Sequence, residues 1–225
     1  MPRVSRDLPR HVLTGALLLL IGPGPARADA PVSPRDLPAS VDERAQLYGV
    51  ALGYGALSGY WVQQLSGSDH WAPWVFPGAG AAAIAVGAVA WIDAQDGWAY
   101  GQPQAIVTDS LIGTGIAALW VWHDRERSPA GEGWSPALQS TMLWSGATLG
   151  ATVGWLRYHL SPSPPGQAAL TGSTALWLGA LSGSLAGAFT PDAEDRARNA
   201  SLAAAFGVEG GVVLGSWLGR ALRPQ

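Results

Sequence analysis

The chain predicts an all-α fold of six glycine-rich, membrane-type helices in a compact, quasi-repeated bundle, and three observations carry that prediction. Six apolar segments, most of about twenty residues, alternate with breaks that collect proline and charge. Charged residues make up only 13% of 225, about half the ~25% of an ordinary soluble domain. Glycine, at 30 residues, recurs at four-residue steps in the last three segments.

The first thirty residues read as a secretory signal. Arg3, Arg6 and Arg10 form a basic start, Val12 to Ile21 an apolar core, and Ala28-Asp29-Ala30 a small-residue cleavage site after Ala30. The apolar core would make only ~15 Å of helix, half a bilayer's ~30 Å hydrocarbon thickness, which argues against a membrane span. Residues 31–41 hold three prolines and read as an extended lead-in. Residues 42–225 then form one six-helix domain.

Its segments are Gln46–Leu65, Gly78–Ile92, Gln104–Trp122, Ala137–Leu156, Gln167–Phe189 and Ala197–Leu222. Twenty helical residues span ~30 Å, enough to cross a bilayer core. The second segment is short, and Pro73 and Trp74 could extend it. The first segment also offers a β-barrel alternative, because Tyr48, Val50, Leu52, Tyr54 and Tyr60 share even positions. The uniformly apolar second segment leaves no polar lumen face, and twenty residues are twice a barrel strand's ~10. Helices are therefore the expectation.

Glycine spacing sharpens it. Gly146, Gly150 and Gly154 are four apart, as are Gly179, Gly183 and Gly187, and Gly207, Gly211, Gly215 and Gly219. Steps of four stay near one helix face, where glycine lets a second backbone approach closely. Ser140-x3-Trp144-x-Gly146 and Ser173-x3-Trp177-x-Gly179 repeat one unit, and Gly-Ala-Leu-Ser-Gly occurs at both 55–59 and 179–183. The pattern resembles glycine-zipper membrane helices as a packing class, and no family. Trp144 and Trp177 sit mid-segment as expected packing knobs. Trp71, Trp74, Trp91, Trp98, Trp120, Trp122, Trp134 and Trp155 lie near segment ends, as interfacial tryptophans do.

Orientation is not encoded. Arg125, Arg127, Arg196 and Arg198 fall on one side, and Arg35, Arg44, Arg157, Arg220 and Arg223 on the other, without a positive-inside bias.

Chemistry is sparse. The chain has no cysteine, so disulfides and thiolate sites are excluded. Its 13 basic residues are all arginine and form no patch for nucleic acid. His70, His123 and His159 are not spaced as metal ligands. No catalytic constellation and no cofactor motif is present. Two acids stand inside spans: Glu209 between Gly207 and Gly211, and Asp109 early in the third segment. They are candidates for a polar path, with no arginine placed opposite either.

The sequence thus predicts an exported protein of a bacterial cell-envelope membrane, inner or outer, and not an enzyme. Its expected role is structural or assembly-forming, with lipid, a second copy or another envelope protein as partner. A small channel or transporter lined by Glu209 and Asp109 is the alternative. A soluble, exported partner-binding bundle is the third reading.

Overall fold

The computed structural model describes residues 33–67, 70, 72–95, 97–128 and 132–222. The expected signal peptide and its cleavage point lie outside them. Six helices form a compact bundle: α1 (Val41–Ser66), α2 (Ala72–Gln95), α3 (Gln102–Arg127), α4 (Pro136–Leu160), α5 (Pro165–Phe189) and α6 (Ala193–Ala221). Among the described residues there is no strand, only an isolated bridge between Pro38 and Ala99. The β-barrel alternative is not supported.

Local chemistry sets the helix ends. Ser40 opens α1 with a capping box: its hydroxyl accepts from the Glu43 amide at 3.2 Å, and the Glu43 carboxylate accepts from the Ser40 amide at 2.9 Å. Gly67, at φ 60°, closes the same helix in the left-handed conformation. Ser135 caps α4, with Pro136 at its first position. Pro165 begins α5, and Glu194 and Asp195 lie in the first turn of α6, where the helix dipole favours acids. The lead-in is not simply extended. Residues Pro34–Asp36 make a 3-10 turn, and Leu37 and Ala39 then bond the backbone of Tyr100 and Trp98.

The second segment is longer than its glycine-to-isoleucine core suggests. Helix α2 runs for 24 residues, with Pro77 inside its early turns. An internal proline removes one backbone hydrogen bond, and here the helix continues on both sides of it.

Consecutive helices pair as three antiparallel hairpins: α1 with α2, α3 with α4, and α5 with α6. Helix α3 is the hub, touching α1, α4, α5 and α6, whereas α2 packs on α1 alone. One end of the bundle has a small apolar core of Leu47, Ala51, Val89, Trp98 and Val107. Elsewhere the interior is mostly small side chains, with Tyr158 and Val121 as larger buried exceptions. The fully buried side chains of greatest volume are Thr171, Pro103, Ser140 and Ser201. Large apolar residues such as Ile84, Leu149, Leu176, Phe189, Val213 and Trp217 face outward.

Candidate functional site

A groove runs along the face made by α3, α4 and α6. Its cavity volume is about 530 Å³, within the ~300–1,000 Å³ of small-molecule sites. Ile112, Ile116 and Trp120 come from α3, Met142, Leu149 and Val153 from α4, and Val212 from α6. Its charged lining residues are Asp109, Arg157 and Glu209. The two acids, a hundred residues apart in the chain, therefore share one groove.

Close approach of backbones places these groups. A Cβ added at Gly150 would collide with the carbonyl of Asp109, and one at Gly146 with that of Gly113. Gly154 meets Ala105 and Ile106 in the same way. With α4 this near, the Arg157 guanidinium reaches Asp109 Oδ1 at 3.0 Å. This corrects the expectation that no arginine stands opposite the candidate acids. Arg157 lies just past the fourth apolar segment, near the C-terminus of α4, but its side chain turns inward. Its second nitrogen class, Nε, is buried without a hydrogen-bond partner among the described residues.

Glu209 differs. Among the described residues it has no hydrogen-bond or ion-pair partner, and it is exposed on the groove wall. The α3–α6 register follows from two contacts: the His123 ring bonds the Arg198 carbonyl at 3.1 Å, and Trp120 meets Phe206 edge-on. That register sets Glu209 further along the bundle axis than Asp109. The groove thus holds a neutralised pair toward one end and a lone carboxylate midway.

The remaining glycines expected to pack helices are placed as follows. Gly183 and Gly187 of α5 lie against Ala200 of α6, and Gly179 against Val208. From α6, Gly207 meets Leu178 and Ser182, Gly211 meets Thr174 and Ala175, Gly215 meets Thr171, and Gly219 meets Gln167. The stripes of α5 and α6 face each other within one hairpin.

Among the tryptophans, Trp91, Trp122 and Trp155 are exposed near helix ends, and Trp120 and Trp134 are half-buried. Trp98 is a correction: it is only 6% exposed and donates its indole N–H to the Val89 carbonyl at 3.3 Å. Its ring is enclosed by α1, α2 and α3 and is not presented to the surroundings. Trp71 and the side chain of Trp74 lie outside the described residues. Trp177, expected as a packing knob, is only partly enclosed, at 45% exposed. Trp144 does pack, but on α1: it stacks on Trp61 at 4.3 Å and donates to Ser58 at 3.1 Å.

Sequence reasoning passed over two further groups. Glu43 caps α1 and also accepts from the Gly101 amide at 2.8 Å, tying the starts of α1 and α3 together while almost fully buried. Asp124, also buried, accepts from the Trp134 amide and fixes the α3–α4 connection. The Ser40-x2-Glu43 pattern could have identified the first; nothing local marks the second.

Among the described residues, three helices are long and apolar enough to cross a membrane: Val75–Gln95, Gln102–Arg127 and Ala193–Ala221. No protein-family model matches the chain, and neither a curated protein nor a solved structure matches it.

Proposed function

We propose that this is an exported protein of a bacterial cell envelope, embedded in the membrane as a six-helix bundle, and that the α3/α4/α6 groove is its working part. The observation that carries embedding is the inverted distribution of side-chain size. Outside one small apolar core, mostly small and hydroxylated residues occupy the interior, while many leucines, phenylalanines and tryptophans lie on the outside. Water would penalise that surface at roughly 25 cal/mol per Å², whereas lipid would not. Alkaline carbonate washing of membranes tests it: the full chain is expected in the pellet, and release into the supernatant would overturn embedding.

Within that setting, the groove favours a channel or transporter over a purely structural part. An acid at a helix centre costs about 2.5–3.5 kcal/mol on insertion scales, and such residues usually face a pathway or cavity. Asp109 and Glu209, the acids that lie away from the helix ends, line the same groove. Proton flux into liposomes, followed with an entrapped pH dye, is expected from the wild type and lost in Glu209→Gln. Equal flux in the variant would remove Glu209 from the path.

A structural or assembly role is the second reading, supported by the broad apolar exterior. Because the glycine stripes meet backbones inside the bundle, contacts between copies would use outward side chains such as Leu176, Leu181 and Leu185.

A further inference from the structure

The groove's charge balance specifies a ligand more closely than its shape does. Asp109 and Arg157 cancel each other through their 3.0 Å ion pair. Glu209 is left without a partner among the described residues, so the three charged lining groups sum to one negative charge. Apart from these groups the lining is almost entirely apolar, with Ile112, Ile116, Met142, Leu149, Val153 and Trp120 prominent. The complementary occupant is an apolar body carrying one positive charge.

We propose that the groove binds a lipophilic monovalent cation, with its charge at Glu209 and its hydrocarbon against α3 and α4. This inference rests on the membrane-embedded reading and names the class of ligand for the same groove. An inorganic cation fits less well, because Glu209 is the one free carboxylate in the groove lining and the described residues hold no cluster of three or more His, Asp or Glu; hard cations take six or more oxygen ligands. A lipophilic anion is disfavoured because the single cationic group is already bound to Asp109. Trp120, on the groove wall, adds an aromatic face of the kind that attracts organic cations.

Tetraphenylphosphonium and tetraphenylborate share a shape and carry opposite charges, so together they separate charge recognition from simple apolar filling. Both would be titrated by equilibrium dialysis against the full chain in lipid nanodiscs, with empty nanodiscs as the blank. Saturable binding of tetraphenylphosphonium is expected, weakened about tenfold or more in Glu209→Gln. Glu209→Asp, which keeps the charge, is expected to retain binding. Leu149→Trp, which fills the groove and leaves every charge in place, is expected to weaken it. Helical circular dichroism checks that each variant is folded. Equal binding by Glu209→Gln, equally tight binding of tetraphenylborate, or no saturable binding by the wild type would each overturn the proposal. Carbonate retention is measured separately, so an embedded chain that fails to bind the cation counts against the ligand and not against embedding.

Discussion

Asp109 and Arg157 show how a single pair is held in an apolar setting. The Asp109 side chain is 9% exposed and that of Arg157 is 25% exposed, so neither is well hydrated. Removing one member leaves its partner's charge poorly compensated, which for buried pairs costs about 3–5 kcal/mol. The partial exposure of Arg157 puts this pair at the low end of that range or below it. Asp109→Asn and Arg157→Met are each expected to lower the thermal unfolding midpoint in detergent. The double variant is expected to lose clearly less than the sum, because it leaves no orphaned charge. Strict additivity would show that the pair does not interact. Asp109 was legible as an unusual residue because it interrupts an apolar run. Arg157 was not, since three residues from a helix end its side chain has two possible directions, and sequence does not distinguish them.

At the scale of the element, glycine positions are not equivalent. Gly150 stands against the Asp109 carbonyl and the Ser110 Cα, both backbone, so no side chain can give way. A Cβ added at Gly187 would meet the Ala200 methyl at 3.5 Å, an ordinary van der Waals contact. Gly150→Ala is therefore expected to destabilise by about 1–3 kcal/mol through overpacking, partly offset by the ~1 kcal/mol gain in helix propensity. Gly187→Ala is expected to be neutral or stabilising. Melting both variants in the same detergent checks the contrast, and equal effects would contradict it.

A different device joins α1 to α4. Tyr54 pairs with Thr148 at 3.0 Å, Trp144 donates to Ser58 at 3.1 Å, and Trp61 donates to Thr141 at 2.9 Å. The three bonds climb in antiparallel register, alternating aromatic donors and hydroxyl partners between the two helices. Trp144→Phe keeps a ring on Trp61 and loses one hydrogen bond, so a loss of about 1 kcal/mol is expected from unfolding measurements. The Ser-x3-Trp spacing marked Trp144 as a packing residue, but the same spacing at Trp177 misled. Helix α5 meets α6 and α3, and neither covers the face that carries Trp177. A repeated sequence does not receive repeated neighbours.

For the whole molecule, the arrangement is inside-out relative to a soluble bundle. Serine, threonine, alanine and glycine occupy the contacts between helices, where small size allows close packing and hydroxyls find carbonyls: Thr174 donates to the Gly211 carbonyl at 2.8 Å, and Ser110 to that of Ala147 at 3.2 Å. Lipid, unlike water, would not penalise the large apolar side chains left outside, which is why the embedded reading expects retention in a carbonate-washed membrane. The charged residues gather near the helix ends, apart from those that line the groove.

The sequence by itself determined that the chain is helical and roughly where its six helices lie, and it marked four-residue glycine steps that share one helix face. These follow from local rules: apolar run length, proline and charge at the breaks, and the 3.6-residue period that keeps every fourth residue near one face. Only the tertiary structure decided which faces meet. It turned the α4 stripe onto α3 and the α5 and α6 stripes onto each other, buried Trp98, left Trp177 outside, and brought Asp109, Arg157 and Glu209 to one groove. Those outcomes depend on helix rotation and register, which are set by many weak contacts acting together and are written at no single position in the chain.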